Sequence, residues 1–420
     1  MLDRDKATQR FIVRVLILHN RYRQPGGEDV VAQSQAELLR SKGHEVRLFE
    51  KDNKVIDSYG LFRKALLFFE TADNARSAAE VEKIVAEFKP DVAHIHNTLP
   101  LLSPSIYKPL KRAGVKVIQY LHNYRLVCPA GTLFRDGKHC QLCVDGTLAP
   151  AVEYRCWSQS KMATLAVTRM LERHRRAKTW HRDVDLFVAL NGYMRDVFVD
   201  KGVVPAEKIV VQGNLSAAVS VHAIVPGEGF IFVGRLVPEK GLRDFMFAAL
   251  RLSCEGPTAI AIAGEGPLSE EEALFGPRGD YLADENGHEV TMPFNGTVDW
   301  LGQIGQRAVI DRIAASRALV FPSVWQEPFG LSIIEAMALS KPVIASRVAG
   351  PKDIVQEGVT GLLFEPGNVD ELAACMKRLQ ENPDLAVQLG QAGRAWYEQE
   401  YSPEAGYRRM EENWQRLGLM

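Results

Sequence analysis

The sequence predicts two doubly wound α/β domains in series, and three observations support this fold class. Short apolar runs typical of buried parallel strands alternate with helical patterns, and this alternation occurs twice along the chain. The length of 420 residues exceeds what one ordinary hydrophobic core supports. Alternation of this kind is typical of parallel sheets covered by helices on both faces.

The first round begins with the apolar run FIVRVLILH (Phe11 to His19), which predicts a buried strand. A helical pattern follows over Asp29 to Ser41 and ends at Gly43, and the run from Glu45 to Phe49 predicts the next strand. Three further strands are predicted at Asp91 to His96, Val115 to Leu121 and Leu186 to Leu190. Together these elements predict a Rossmann-like domain over residues 1–215.

The second round follows a junction at residues 213–229, which carries Gly, Ser and Pro and little helical pattern. Its elements predict a second Rossmann-like domain over residues 216–402, with a helix from about Leu242 to Ser253 and strands at Phe230–Gly234, Ala259–Ala263, Ala318–Phe321 and Pro342–Ala345. The final segment, 403–420, has the pattern of a polar helix and is expected to pack back onto the first domain through Tyr407, Met410, Trp414 and Leu417.

Composition indicates a soluble globular protein, since 46% of residues are apolar and 25% are charged. The formal net charge of −1 argues against nucleic acid as a partner. The first ten residues contain no apolar signal core, and no run of 18 apolar residues occurs. The sequence therefore predicts a cytoplasmic protein.

Two basic residues follow the first strand of the second domain. Arg235 and Lys240 lie in the segment GRLVPEKG, with Gly234 and Gly241 at its ends. Ligands of open parallel sheets bind beyond the carboxyl ends of the strands, and a guanidinium beside an ammonium suits a diphosphate there. The alternative is a solvated loop with two incidental charges, but glycines at a strand end favour the diphosphate.

The next strand end is followed by Gly264-Glu265-Gly266-Pro267. Glycines allow the backbone to approach a ligand closely, so Gly264 and Glu265 are candidates for the same wall of the site. An ordinary tight turn explains this segment equally well.

The third strand end leads into the segment QEPFGLSIIEA. We expect a helix to start near Gly330, so that the backbone N–H groups of Gly330 and Leu331 face an anion. Glu327 then lies in the loop, and Glu335 lies in the helix, where it could accept hydrogen bonds from ribose hydroxyls. A solvated surface position for Glu335 is the alternative, but the apolar residues on both sides of it argue against that.

These segments resemble the retaining glycosyltransferases of family four, in particular bacterial polysaccharide-biosynthesis members. The family has the GT-B fold, in which two Rossmann-like domains face each other across a cleft. Its signature is a pair of glutamates eight positions apart in a setting like EPFGLSIIE, here Glu327 and Glu335. The N-terminal glycine loop, GRLVPEKG, GEGP and the tail from Pro342 to Asn368 also match. One departure is Ser340, where the family commonly has glycine.

The resemblance implies a role for each matched residue. Arg235 and Lys240 would bind the donor diphosphate and stabilise it as it leaves. Glu335 would hold the ribose, and Glu327 would contact the donor sugar. His122, which follows a strand of the first domain, would face donor sugar and acceptor. The implied catalytic residues are His122, Glu327, Arg235 and Lys240. The implied donor-binding residues are Gly26, Gly27, Gly234, Arg235, Lys240, Gly264, Glu265, Glu327, Phe329, Gly330, Leu331 and Glu335.

The resemblance also implies the reaction, a hexosyl transfer with retention from a nucleotide-diphosphate sugar, expected to be a UDP-sugar. The acceptor would be a glycan or a lipid-diphosphate-linked glycan in polysaccharide or exopolysaccharide biosynthesis, bound by the first domain. No cofactor would be required, because basic side chains and a helix N-terminus replace a metal. Retention can follow from a carboxylate nucleophile or from attack on the face that the diphosphate leaves, and the family's lack of a well-placed nucleophile favours the second route.

Four of the six cysteines lie in one stretch: Cys128, Cys140, Cys143 and Cys156. A cytosolic chain keeps thiols reduced, which favours metal binding or packing over disulfides. The Cys140–Cys143 spacing is that of a zinc knuckle, and four thiolates would complete a structural zinc site. Four reduced thiols in a long loop are the alternative, because the outer spacings match no known finger. The run HNYRLVCPAGTLFRDGKHCQLC resembles a subgroup of polysaccharide-building relatives.

The segment 157–182 carries seven basic residues against Glu172 alone, a net charge of 7 − 1 = +6: Lys161, Arg169, Arg173, Arg175, Arg176, Lys178 and Arg182. Its apolar side is formed by Met162, Leu165, Ala166, Val167 and Met170. A basic amphipathic helix suits an anionic membrane or a lipid-diphosphate acceptor, so we expect peripheral contact with the inner face of the plasma membrane. A solvated helix packed on its own domain is the alternative.

Two hypotheses without catalysis are compatible with this fold. The first is a noncatalytic protein that binds a nucleotide or dinucleotide, and the second is a membrane-surface scaffold. No G-x-G-x-x-G follows the first strand, which argues against the first. His122, Glu327 and Lys240 are all present, which argues against the second. The family-four motifs disfavour a GT-B epimerase or phosphorylase. The sequence leaves the sugar, base, acceptor, linkage and oligomeric state open.

Overall fold

The computed structural model describes residues 11–23, 26–216, 227–270 and 294–420. The charged first ten residues and residues 217–226 of the predicted junction lie outside the described residues. Among the helices that the structure describes, none combines the length and the apolar character that crossing a membrane requires.

Two six-stranded parallel sheets and one short hairpin contain the strands of the described residues. The first sheet contains β1 (Arg14–Arg21), β2 (Glu45–Asp52), β3 (Val92–Ile95), β4 (Lys116–Leu121), β7 (Leu186–Ala189) and β8 (Ile209–Val211), in the order β2-β1-β3-β4-β7-β8. The antiparallel hairpin is formed by β5 (Phe134–Arg135) and β6 (Lys138–His139). The second sheet contains β9 (Phe230–Val233), β10 (Thr258–Ala263), β11 (Gly296–Gly302), β12 (Ala318–Phe321), β13 (Val343–Ser346) and β14 (Gly361–Phe364), in the order β11-β10-β9-β12-β13-β14.

Helices connect the strands of both sheets. Those before β9 are α1 (Gly27–Ser41), α2 (Leu61–Glu70), α3 (Ala75–Phe88), α4 (Tyr107–Arg112), α5 (Ala149–Glu153), α6 (Lys161–Arg176), α7 (Thr179–Asp183) and α8 (Gly192–Asp200). Those after β9 are α9 (Leu242–Ser253), α10 (Gln306–Ala315), α11 (Leu331–Ala338), α12 (Ala349–Ile354), α13 (Val369–Glu381), α14 (Pro383–Glu400) and α15 (Pro403–Arg416).

The central strands of both sheets are buried on both faces, which is why they read as continuous apolar runs. In β1, Leu16 and Leu18 belong to the apolar cluster on one face, whereas Val15 and Ile17 belong to the cluster on the other. The strands of the second sheet divide their side chains between two clusters in the same way. The predicted fold class of two doubly wound domains is therefore confirmed.

The differences from the sequence-based prediction concern strand ends and sheet edges. Strand β1 starts at Arg14 rather than at Phe11, because Phe11 and Ile12 are exposed. Strands β8, β11 and β14 were not predicted, and all three lie at the edge of their sheet. Strand β8 has only three residues and β14 only four. Strand β11 has the mixed sequence GTVDWLG, which contains no apolar run.

Ser340 occupies a backbone conformation that explains the glycine of related sequences. Its φ of 55° lies in the left-handed region, which glycine adopts without steric cost. Its carbonyl oxygen packs against Gly390, where a Cβ atom would lie 1.9 Å from that oxygen. The departure therefore concerns the packing of α14 and not the region of the predicted site.

Helix α15 packs on the first sheet although it follows the second in sequence. Trp414 is fully buried, and its Nε1–H donates a hydrogen bond to His94 Nε2 at 3.1 Å. Asn413 donates to Gln212 Oε1 at 2.8 Å, and Tyr407 is hydrogen-bonded to His44 at 2.7 Å. The final helix thus ties the end of the chain to the sheet at its beginning.

We predict that Trp414→Ala destabilises the protein strongly, because it empties a fully buried indole site and leaves His94 without its donor. Truncation of a buried tryptophan costs about 3–5 kcal/mol. Denaturant unfolding followed by circular dichroism measures the effect. Val359→Ala, at a position that is 52% exposed, is the control and should change stability by less than about 0.5 kcal/mol. Equal midpoints of denaturant unfolding for the two variants would contradict the prediction that Trp414 stabilises the protein.

Candidate active site

The loops after three neighbouring strands, β9, β10 and β12, meet at one edge of the second sheet. The backbone N–H of Leu236 donates to the carbonyl of Glu265 at 2.9 Å, which joins the first two loops. The N–H of Val324 donates to the carbonyl of Glu239 at 3.0 Å, which joins the first and third. The predicted segments GRLVPEKG, GEGP and QEPFGLSIIEA are therefore brought together.

Glycines allow this close approach at two positions. Gly241 has a φ of 71°, and a Cβ atom there would lie 1.9 Å from the carbonyl oxygen of Pro322. Gly264 has a φ of 149°, and its Cβ atom would lie 1.8 Å from the carbonyl oxygen of Gly234. Any side chain at either position would force the loops apart, so these glycines set the spacing of the site.

An ion pair links the first and third loops. Lys240 Nζ lies 2.6 Å from Glu327 Oε2, and both side chains are largely buried. The same oxygen accepts hydrogen bonds from Ser323 Oγ at 3.1 Å and from Trp325 Nε1 at 2.8 Å. An ammonium has three N–H donors, so Lys240 is held in place by one of them and can offer the others to an anion.

Two helix N-termini are in contact, and one of them, that of α11, begins four residues after Glu327 of the ion pair. Helix α11 starts at Leu331 with Gly330 as its N-cap, as predicted. Helix α1 starts at Gly27, where a Cβ atom would lie 2.8 Å from Leu331 Cδ1. The first N–H groups of a helix carry partial positive charge, so two such ends and an ammonium form a setting for an anion.

The start of α1 is fixed by Asp29. Its carboxylate accepts hydrogen bonds from the backbone N–H groups of Gly26 at 2.8 Å and Tyr22 at 3.2 Å, and lies 2.8 Å from His19 Nε2. Burial alone would raise the pKa of Asp29, but the hydrogen bonds from His19, Gly26 and Tyr22 outweigh it and lower that pKa. Asp29 therefore fixes the backbone at the start of α1, where Gly27 contacts Leu331 of α11.

Glu335 lies in α11, away from direct contact with the Lys240–Glu327 pair among the described residues. Burial raises the pKa of its carboxyl to about 7, and a hydrogen bond from Gln306 Nε2, at 2.7 Å, opposes this rise. The carboxyl therefore changes its charge near neutral pH.

His122 follows β4 in the first sheet and is stacked on His96. His96 Nδ1 lies 2.8 Å from His122 Nε2, and the ring centroids are 5.1 Å apart. Burial, together with the neighbouring imidazole, holds the pKa of His96 well below its usual range, and burial lowers the pKa of His122. Two neutral rings share one hydrogen bond here, so each fixes the tautomer of the other.

His122 opens onto a cavity in the first domain. The cavity is also lined by Glu28, Asn97, Asn123 and Arg125. The Nε and Nη1 atoms of Arg125 are buried and have no hydrogen-bond partner among the described residues, while its guanidinium stacks on Trp157 at 4.2 Å. Two N–H donors of this guanidinium thus have no protein partner among the described residues, while Glu28, which accepts from the Tyr22 hydroxyl at 2.8 Å, lines the same cavity.

Three of the predicted donor-binding residues lie less directly in the site. The Arg235 side chain is exposed and pairs with none of the described residues. Glu265 is exposed too, and it contributes its backbone carbonyl to the loop contacts. The Phe329 ring is buried against Tyr401, with ring centroids 5.9 Å apart, and against Gly213. What Phe329 offers to a ligand at the site is therefore its backbone.

The loop that carries Glu327 also contacts the first domain. Asn191 Nδ2 donates to the carbonyl of Pro328 at 2.6 Å, and the N–H of Gly192 donates to Asp353 Oδ2 at 3.0 Å. Trp325 belongs to the apolar cluster of the first domain. The Lys240–Glu327 pair is thus supported from both domains.

Sequence reasoning missed several residues of the site: Asp29, His96, Ser323 and Trp325. A signal existed for two of them. In the run HIH, two histidines alternate on a buried strand and therefore share one face of the sheet, and Asp29 stands three residues after Gly26, at the position where a helix N-terminus is commonly capped. Nothing in the sequence places Ser323 or Trp325 on Glu327.

The four cysteines converge beside the hairpin formed by β5 and β6, and all have free thiols. Burial raises the pKa of Cys143 to about 11, and the nearby thiols of Cys128, Cys156 and Cys140 raise it further. Among the described residues, no group of three or more histidine, cysteine or acidic side chains is arranged to hold a metal ion.

The structure turns the apolar side of segment 157–182 inward. Helix α6 covers Lys161–Arg176, and Ala166, Val167 and Met170 are buried in its own domain. Because these three residues fill the domain core, they cannot face a membrane. The prediction that they form an apolar contact surface is therefore wrong. Met162 and Leu165 stay exposed at 62% and 40%.

Two family models match the chain. Residues 25–214 match the model described as Glycosyltransferase Family 4, and residues 226–396 match the model described as Glycosyl transferases group 1. Together they cover all but the ends and a short junction. An uncharacterized 42.6 kDa protein in the cps region of Klebsiella pneumoniae is 24% identical over 352 residues, which are 77% of this chain and 82% of that protein. Other curated relatives, among them an alpha-D-kanosaminyltransferase of Streptomyces kanamyceticus, are matched over about half of their length.

Solved structures agree with this assignment. Sucrose-phosphate synthase from Thermosynechococcus elongatus has a TM-score of 0.66 and 19% identity, with 96% of this chain and 99% of that chain covered. HepE of Anabaena, in complex with UDP-glucose, has a TM-score of 0.61 and 18% identity, with 96% and 100% covered. At these identities the likeness concerns the fold. The family models and the two parallel-sheet domains together show that the chain belongs to the family 4 glycosyltransferases of the GT-B fold.

Proposed function

We propose that this protein transfers a sugar, with retention, from a UDP-sugar to a glycan or to a lipid-diphosphate-linked glycan in polysaccharide biosynthesis. The observations that carry the proposal are the Lys240–Glu327 pair and the contact between the N-termini of α1 and α11. This setting suits the diphosphate of a nucleotide sugar, because negative charge grows on the diphosphate as the glycosidic bond breaks.

The donor would lie on the second domain. Arg235 and Lys240 would contact the diphosphate, and the N–H groups at Gly330 and Leu331 would complete its binding. Glu335 would accept hydrogen bonds from the ribose hydroxyls. The complex of HepE with UDP-glucose supports a uridine nucleotide as the first donor to examine.

Retention is proposed to follow from attack on the face that the diphosphate leaves. The bond from the anomeric carbon to the phosphate oxygen breaks, the acceptor oxygen bonds to the same face, and the acceptor proton passes to the departing phosphate. Glu327 Oε2 already accepts three hydrogen bonds, one of them from an ammonium. Such a carboxylate is a poor nucleophile, which supports this route over a glycosyl-enzyme.

His122 would face the donor sugar and acceptor from the first domain, with its tautomer set by His96. Gln35 Oε1 can only accept, so His96 Nε2 donates to it and His96 Nδ1 accepts from His122 Nε2. His122 Nδ1 is then left as a neutral acceptor for one hydrogen bond, which introduces no charge near the reacting carbon. His122 would thus orient the sugar during the transfer.

The acceptor would occupy the cavity beside His122. Arg125 supplies buried, unpaired N–H donors there, which supports an acceptor with a phosphate near its reacting end. The relative in the cps region of Klebsiella pneumoniae supports a role in polysaccharide synthesis. We propose that the first domain, residues 1–215, binds the acceptor and that residues 216–402 bind the donor.

No cofactor is proposed for the reaction. Structural zinc on Cys128, Cys140, Cys143 and Cys156 stays a prediction, because four thiolates are a ligand set that structural zinc prefers, although these thiols are not arranged here as a metal site. Elemental analysis of the purified protein measures it. The proposed location is cytoplasmic, at the inner face of the plasma membrane, to which the exposed cations of 157–182 are available.

We predict that Lys240→Ala lowers turnover at saturating donor by about 10²- to 10³-fold, because it removes positive charge from the leaving diphosphate. Release of UDP from a panel of nucleotide sugars, with and without acceptor, identifies the donor and measures turnover. Lys83→Ala, at a position whose side chain is 79% exposed, is the control. Normal turnover in a folded Lys240→Ala variant would remove the diphosphate assignment.

We predict that kcat/KM for the donor falls as pH decreases below about 7. The pKa of Glu335 is about 7, so at lower pH its carboxyl is protonated and becomes a weaker acceptor for the ribose hydroxyls. The side chain of Glu335→Gln cannot ionise, so the pH profile of kcat/KM for this variant should lack the decrease near pH 7. If the variant shows the same decrease of kcat/KM, Glu335 is not the group that causes it.

We predict that a fluorinated donor, which slows breakdown of a glycosyl-enzyme, leaves Glu327 unmodified. Intact-mass spectrometry followed by peptide mapping detects an adduct. Nuclear magnetic resonance of the product should show the anomeric configuration of the donor. An adduct on Glu327 would overturn same-face attack, and an inverted product would overturn retention.

A further inference from the structure

Helix α2 exposes most of its apolar residues. None of its residues, LFRKALLFFE, is buried, and Leu61 and Phe62 are 89% and 79% exposed. Phe69 and Leu66 follow at 58% and 40%. Phe62, Leu66 and Phe69 are spaced at i, i+4 and i+7, so they form one stripe on the helix. A contiguous exposed apolar surface of this kind marks an interaction site.

Helix α6 extends this surface. It packs beside α2, and its exposed apolar residues are Met162 and Leu165. The guanidinium of Arg169 lies 5.2 Å from the ring centroid of Phe69 and 5.8 Å from that of Phe68, which joins the two helices. The α2–α6 face is defined here by Leu61, Phe62, Leu66, Phe69, Met162 and Leu165.

The two helices that carry the α2–α6 face have a net positive charge, although Arg63, Arg173 and Arg176 pair with Glu70, Asp73 and Glu172. The two helices carry seven basic residues, Arg63, Lys64, Lys161, Arg169, Arg173, Arg175 and Arg176, against Glu70 and Glu172, which gives 7 − 2 = +5. The whole chain has a net charge of −1, so this surface differs sharply from the rest of the protein. Lys64, Lys161, Arg169 and Arg176 are exposed at its rim.

The charge distinguishes between the occupants that an apolar face can have. A second copy of this chain, related by a two-fold axis, would place two surfaces of +5 against each other, which disfavours self-association. A bilayer that contains anionic lipids offers apolar chains below a negative headgroup layer, and it therefore complements both features.

We propose that the α2–α6 face is the surface by which this protein binds an anionic lipid bilayer. Helix α2 lies in the plane of the interface, with Leu61, Phe62 and Phe69 inserted below the headgroups. At ten residues it is about 15 Å long, which suits an interfacial position and not a span. The lysines and arginines at the rim extend to the lipid phosphates.

This position brings the membrane close to the proposed acceptor cavity. Met170 lies on the buried side of α6 and lines the cavity beside His122. One helix therefore separates the lipid surface from that cavity. The inference extends the proposed peripheral location and needs no donor chemistry, so it can fail or hold independently of sugar transfer.

Co-sedimentation with vesicles tests the proposal, without donor or acceptor. We expect the protein to bind vesicles rich in phosphatidylglycerol and to remain unbound with pure phosphatidylcholine. Phe62→Ser combined with Leu66→Ser removes two exposed side chains and should lower the partition coefficient by at least about tenfold. The matched control is Leu142→Ser combined with Val359→Ser, which are 47% and 52% exposed on other surfaces and should leave binding unchanged.

A variant with reversed charges separates the electrostatic contribution to vesicle binding from the apolar contribution. Lys64→Glu combined with Lys161→Glu should weaken binding to anionic vesicles by more than about tenfold at low salt, with a smaller effect at high salt. An unchanged circular dichroism spectrum and an unchanged midpoint of thermal unfolding show that each variant is folded. The proposal is overturned if the unmodified protein ignores anionic vesicles, or if Phe62→Ser with Leu66→Ser binds them normally. It is also overturned if sedimentation shows a dimer that this apolar variant dissociates.

Discussion

The site depends on the ion pair between Lys240 and Glu327. Taking two charges out of water is costly, and a buried pair is tolerated only when further hydrogen bonds satisfy it. Here Ser323 and Trp325 supply those bonds, and both converge on the same carboxylate oxygen as Lys240. The pair therefore needs the loop after β12 and the loop after β9 in one arrangement, and glycines at contact points make that arrangement possible.

The same loop connects the two domains. Trp325 packs into the apolar cluster of the first domain, and Asn191 holds the carbonyl of Pro328. Because Gly27 lies against Leu331, the first turns of α1 and α11 are held in contact. The positive potential beside α11 thus depends on contact between the domains, since their separation would move the N-terminus of α1 away from α11.

The first domain contributes a buried polar chain behind its cavity. His122 is bonded to His96, Gln35 lies between His96 and His94, and His94 accepts from Trp414 of the last helix. Burial holds the pKa of His96 well below its usual range, so the chain consists of neutral groups whose hydrogen bonds fix one another. The end of the sequence thereby supports a residue that we propose to act on the sugar.

The sequence by itself determined the two-domain fold, the strand ends that carry the site, and the helix start at Gly330, because apolar periodicity and glycine placement are local properties. It could not determine which side of α6 faces the core, that Phe329 is committed to packing against Tyr401, or that three donors meet on Glu327. Edge strands such as β11 were also beyond it, since a half-buried strand leaves no apolar run. Only the tertiary structure decided these points, because each depends on side chains that are distant in sequence and become neighbours when the sheets and helices pack.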